Sequence, residues 1–140
     1  MMNILITVAH PDDETIGMGG TIKKLSKNNE ITLCVMTDGA SAQYDDKKMI
    51  KVRQDACKKA GKILGISKFH FLNFPDMKLD SISHVEMNKE LEKIIKKINP
   101  KILYSTSYND LNKDHQKVFE SCSVISRPLS SKIKKFLCFE

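Results

Sequence analysis

The chain has 140 residues, room for one domain and too little for two comfortable ones. Its 41% hydrophobic and 29% charged residues are ordinary for a globular protein. No apolar run is long enough to cross a bilayer and no charged-then-apolar leader opens the sequence, so the expected location is cytoplasmic.

The first segment, Asn3–Val8, is nearly continuous β-branched and apolar sequence, the pattern of a central parallel strand covered on both faces. It runs into Ala9-His10-Pro11-Asp12-Asp13-Glu14. Met18, Ile22 and Leu25 then fall at helical spacing, with Glu14 and Thr15 suited to the first turn, Thr15 as a cap. Gly17, Gly19 and Gly20 serve either close backbone approach to the turn or tight helix–sheet packing. Asn28-Asn29 ends this helix.

Ile31–Thr37 is the second strand, closed by Asp38-Gly39, and the polar loop 40–46 follows at its C-terminal end. Met49, Val52, Ala56, Ala60 and Ile63 mark the inner face of a long helix that stops at Gly65. Phe69–Phe74 is a short aromatic strand, and Pro75-Asp76-Met77-Lys78 turns away from it. Met87, Leu91, Ile94 and Ile98 mark a third helix, stopped by Asn99-Pro100. Ile102–Ser105 is the fourth strand. A polar loop leads to a fourth helix with Val118, Cys122 and Ile125, and Ile133–Phe139 is the fifth strand.

Strands alternating with helices predict an α/β fold, a doubly wound, mainly parallel five-stranded sheet with helices on both faces. In strand order 3-2-1-4-5 the first and fourth strands are neighbours at the crevice where such sheets bind ligands. The loops after them are the two most polar in the chain. His10, Asp13 and His115 would thus meet from distant positions as a two-His, one-carboxylate metal set, with Zn²⁺ as the expected ion and another divalent metal as the alternative. Asp12, beside a ligand, is free to act as base on metal-activated water. Asp114 orients a ligand or base, or caps its helix. His70 and His84 read as structural. Cys34, Cys57, Cys122 and Cys138 lie in apolar periodic segments with no Cys-x-x-Cys spacing, and read as buried free thiols.

The net charge of +6 comes from lysines scattered along helical patterns, such as Lys58-Lys59 and Lys96-Lys97. With only Arg53 and Arg127 as arginines and no nucleic-acid-binding motif, the charge argues for solvated helix faces rather than a nucleic-acid partner. It remains compatible with an anionic substrate.

The run Ala9–Glu14 resembles the signature of the PIG-L / LmbE-like deacetylases, which act on N-acetylglucosaminyl compounds. Asp114-His115 is similar to the family's second signature, Arg53 and Ala56 to its Arg-x-x-Ala helix, Leu64-Gly65 to the end of that helix, and Phe71-Leu72 through Pro75-Asp76 to its strand-to-Asp turn. The resemblance implies a Rossmann-like fold, Zn²⁺ on His10, Asp13 and His115, Asp12 as general base, and Arg53 and Asp76 as contacts to a small N-acetylated sugar conjugate. Two departures stand out. Many members carry a His three residues before the metal His, where this chain has Asn112, which donates a hydrogen bond to an oxyanion but cannot act as an acid. Members also continue past the fifth strand with segments that wall the substrate pocket. The expectation is therefore a single domain over residues 1–140 lacking that segment, or one in which another chain supplies it, as in a homo-oligomer.

Two rivals accompany this reading. One is a phosphoreceiver-like signalling module with Asp76 as acceptor, which leaves His10 and His115 unused. The other is a catalytically weak or inactive relative that binds only metal or sugar.

Overall fold

The structure is a computed structural model that describes residues 1–129 and 131–140. Five strands, β1 (Asn3–Val8), β2 (Glu30–Thr37), β3 (Lys68–Phe74), β4 (Ile102–Thr106) and β5 (Lys135–Phe139), form one parallel sheet in the order β3-β2-β1-β4-β5. Four helices, α1 (Asp13–Leu25), α2 (Lys48–Leu64), α3 (His84–Ile98) and α4 (Lys113–Ile125), connect them. The fold class and strand order match the expectation.

Strand β1 explains the rest. Every side chain from Ile4 to Ala9 is fully buried, because both faces of the strand are covered. Ile4, Ile6 and Val8 enter a core with Met18 and Ile22 of α1 and Cys57 of α2. Leu5 and Ala9 enter the opposite core, with Met87, Leu91, Ile94 and Ile95 of α3 and Val118, Cys122 and Ile125 of α4. In register, Ile4 lies between Ile31 and Ile102, and Thr7 between Cys34 and Ser105. The chain on either side of β1 therefore leaves the sheet in opposite directions, and the loops after β1 and β4 open beside one another.

Several local expectations change. The inner face of α2 is rotated: Cys57 and Gly61 are buried, whereas Val52 is 54% and Ile63 73% exposed. The rotation lets Phe69 pack against the bare face of Gly61 and turns Arg53 toward the end of the sheet. Thr15 does not cap α1; Asp12 occupies the N-cap position, and the Thr15 hydroxyl donates to Glu14 instead. Helix α1 is kinked at Met18 (φ −144°, ψ 21°), and Gly17 there meets Phe139 so closely that a Cβ would lie 2.4 Å from its ring. Strand β5 begins at Lys135 rather than Ile133. Of the four cysteines, Cys138 is exposed, because it sits on an edge strand; the other three are buried, and all are free. Among the described residues, no helix is long and apolar enough to cross a membrane.

The strand ends are stitched where the polar turns begin. The carbonyl of Ala9 accepts from both the backbone N–H (3.0 Å) and the hydroxyl (2.8 Å) of Thr37. Gly39, two residues on, has φ +64°, and a Cβ there would fall 2.3 Å from Cδ of Pro11. Gly39→Ala is expected to cost about 2–5 kcal/mol, combining a left-handed backbone for an L-residue with overpacking against a rigid ring. Urea unfolding of the two proteins measures this; a change below about 1 kcal/mol would show that the Pro11 turn moves freely.

Candidate metal centre

The turn after β1 folds back on itself. Asp12 donates its backbone N–H to the His10 carbonyl (2.9 Å), and His10 donates its own N–H to Oδ2 of Asp13 (2.8 Å). Asp13 opens α1, so its carboxylate is held at a helix start that favours negative charge. Across the crevice, Asn112 caps α4 by accepting the N–H of Asp114 (2.9 Å), and the next residue is His115. The cap expected as the alternative role of Asp114 therefore falls to Asn112.

Three donor atoms converge. His10 Nδ1 and His115 Nε2 are 3.2 Å apart, and Oδ2 of Asp13 is 3.4 Å from the first and 3.3 Å from the second. The outer nitrogen of each ring faces a carboxylate. His10 Nε2 lies 3.0 Å from Oδ2 of Asp114, and His115 Nδ1 lies 2.6 Å from Oδ2 of Asp110. An ionised carboxylate only accepts, so in the neutral rings the protons belong on those outer nitrogens. The inner nitrogens then carry lone pairs, and three lone-pair donors face one another with no proton between them. Only a cation or an added proton relieves that repulsion. Tetrahedral coordination with bonds of about 2.0–2.1 Å places ligand atoms about 3.3–3.4 Å apart. The observed triangle fits that spacing, so these residues suit the implied metal.

In the absence of a cation, protons take its place. Burial lowers the pKa of His10, but hydrogen bonds and charge from Asp114 and Asp13 outweigh it and lift the ring to about 10. Burial likewise lowers that of His115, and Asp13 and Asp110 more than offset it. Asp13 is driven the other way: burial raises it, and the two imidazoles hold it well below the usual carboxylate range. A raised histidine pKa means that the metal-free site is protonated at neutral pH, and a metal must displace that proton. Loading at pH 7 is expected to release about one proton or more per ion, with apparent affinity falling about tenfold per pH unit for each proton displaced. Titration calorimetry in buffers of different ionisation enthalpy measures this; zero release would contradict the paired geometry.

Of the eight residues singled out in the sequence, His10, Asp12, Asp13, Arg53, Asp76, Asn112 and His115 line one cavity of about 330 Å³. Loop 40–46 contributes Ala42 and Gln43 to the same wall, as its position after β2 implied. Asp114 is the exception: it is fully buried behind His10, with Oδ2 3.0 Å from His10 Nε2, a position from which it orients that ring. Its Oδ2 accepts from Met77 N–H (2.8 Å) and its Oδ1 from Leu79 N–H (3.0 Å). Met77 adopts φ 56° to aim that donor, a left-handed backbone that costs on the order of 1 kcal/mol. Asp12 is not one of the three donors; it lines the same cavity and accepts from Arg53 Nη2 (3.2 Å). Asp76 is buried with Oδ1 3.4 Å from His10 Nε2, and burial raises its pKa. His70 and His84 are outside the group, as expected. A slightly larger cavity, about 370 Å³, opens beside Asn3, Lys68 and Lys97, but it contains none of these residues.

Two acidic groups escaped the sequence reading. Asp110 is the partner of His115, and only its place in the same polar loop hinted at that. Glu14, read as a dipole-facing acid, is instead fully buried; its Oε1 accepts from Thr15 (3.1 Å) and Cys57 (3.6 Å), its Oε2 has no partner among the described residues, and burial raises its pKa.

Comparison with known proteins identifies the family and the fold. The family model described as PIG-L, GlcNAc-PI de-N-acetylase, matches residues 5–125. The diacetylchitobiose deacetylase of Thermococcus kodakarensis is 34% identical over 105 residues, covering 71% of this chain and 39% of that protein. A probable N-acetyl-alpha-D-glucosaminyl L-malate deacetylase 2 of Bacillus anthracis is 25% identical over 111 residues, covering 74% of this chain and 49% of that one. The solved N,N'-diacetylchitobiose deacetylase of Pyrococcus horikoshii, in complex with its inhibitor, superposes with a TM-score of 0.78 at 30% identity, covering 94% of this chain and 52% of that chain. The chain thus spans about half or less of the length of these relatives.

Proposed function

The chain belongs to the PIG-L family, and from that premise we propose that it removes the acetyl group from an N-acetylglucosamine-type sugar conjugate, with Zn²⁺ or another divalent metal held by His10, Asp13 and His115. The observation that carries this is the triangle of two imidazole nitrogens and one carboxylate oxygen at the end of β1 and the start of α4. A bound metal at such a site supplies Lewis acidity and lowers the pKa of water to about 7.

The chain's own residues do the rest. Asp12 accepts a proton from the attacking water as its oxygen adds to the acetamide carbon. Arg53 holds the Asp12 carboxylate in place. Asn112 uses its side-chain oxygen as the helix cap; Nδ2 donates one hydrogen toward Met77 Sδ (3.7 Å) and has a second for the developing oxyanion. When the C–N bond breaks, Asp12 returns its proton to the departing nitrogen, since Asn112 cannot. The products are acetate and an amine, and the second proton of the water leaves the new carboxyl group for the amine or the solvent. Asp114 keeps His10 oriented, and Asp76 and Arg53 form the part of the wall against which the sugar lies.

Elemental mass spectrometry of the purified chain, beside a His10→Ala/His115→Ala variant, tests the site. Acetate release from N-acetylglucosamine conjugates tests the activity. About one ion per chain, lost in the variant, together with acetate release supports the proposal. Metal without acetate release from any conjugate would leave a metal-binding relative. No metal in either protein after Zn²⁺ is added would overturn the reading.

A further inference from the structure

We infer that Asp110 is a positioning residue that sets the tautomer of His115, so that its Nε2 lone pair points into the metal triangle; this rests on the proposed role of His115 as a ligand. Asp110 uses both carboxylate oxygens. Oδ2 faces His115 Nδ1 at 2.6 Å, and Oδ1 accepts the backbone N–H of Asn112 at 2.9 Å. Its own carbonyl accepts from Gln116 Nε2 (2.7 Å), which ties the loop to the first turn of α4. The backbone of His115 is held as well, because Thr106 donates its hydroxyl to the His115 carbonyl (3.0 Å). His115 is mostly buried, with its side chain 15% exposed, so this pair is not an ordinary solvated ion pair. It is the counterpart, on the rim, of the buried link between Asp114 and His10.

The two-oxygen arrangement makes Asp110→Asn diagnostic. Asparagine is nearly isosteric but has one acceptor oxygen for two donors. If that oxygen keeps the Asn112 N–H, the amide NH₂ faces His115 Nδ1. The ring must then accept there and carry its proton on Nε2, the nitrogen that faces His10 and Asp13. A protonated Nε2 cannot ligate.

Zinc affinity is measured by competition with a chromophoric chelator, for the wild type and Asp110→Asn. Ring ¹⁵N shifts of the metal-free proteins, above the pH at which the ring is neutral, report the tautomer independently of activity. The expected result is zinc binding about 10–100-fold weaker in the variant, with the proton moved from Nδ1 to Nε2. Equal zinc affinity in the two proteins would overturn the inference. So would a wild-type ring that carries its proton on Nε2, a result that stands even if the variant folds poorly. Failure of the wild type itself to bind zinc is a different outcome and overturns the metal reading beneath it.

Discussion

Asp12→Asn is expected to slow acetamide hydrolysis by about 10²–10⁴-fold while leaving one metal ion per chain. Asp12 lies next to a ligand in sequence yet is not part of the donor triangle. Its side chain is half exposed, lines the cavity and is held by Arg53. Asparagine keeps the size and the Arg53 hydrogen bond but accepts no proton. Asn112 accepts no proton, and among the described residues the only imidazoles lining the cavity are His10 and His115, both assigned as ligands. Metal content and turnover measured on the same sample separate the two roles. A loss below tenfold would move the base to another group.

His115→Ala is expected to weaken metal binding by more than about 100-fold, beyond the loss typical of groups that only support a ligand. It takes one corner from the triangle and leaves His10 and Asp13 to hold the ion from one loop. The same variant loses the thermal stabilisation that metal confers. In the wild type, free metal at about a thousandfold excess over Kd contributes about 4 kcal/mol. Melting curves with and without Zn²⁺ give both results. A variant that melts higher with zinc, as the wild type does, would place the ion elsewhere. His115 is the cleaner corner to remove, because His10→Ala also strips a partner from the buried Asp114 carboxylate.

The sheet order was legible because β1 and β2 are buried on both faces, which leaves nearly continuous apolar runs bounded by polar turns. That His10, Asp13 and His115 come together was legible for a related reason: the polar turns leading to them follow the neighbouring strands β1 and β4. What escaped depends on contacts that no local pattern carries. The inner face of α2 is chosen by Phe69 reaching Gly61, not by the most apolar stripe. Asp114 looks like a helix cap or a site acid, but two backbone N–H groups from the turn after β3 draw it inward. Asp110 is one polar residue among several in its loop until the fold brings His115 Nδ1 to it.

The central place of β1 also governs when the site comes into existence. Ile4 pairs with Ile31 on one side and with Ile102 on the other, so one edge of the first strand waits for a partner made much later. At roughly 5–20 residues per second, the ribosome takes several seconds to supply it. Through that interval the nascent chain offers His10 and Asp13 without His115, which lies 105 positions beyond His10. On the proposed reading, a cation met then finds two of its three ligands and is readily lost, so the ion is selected by the finished sheet, from the metals free in its surroundings at that moment, and not by the growing chain.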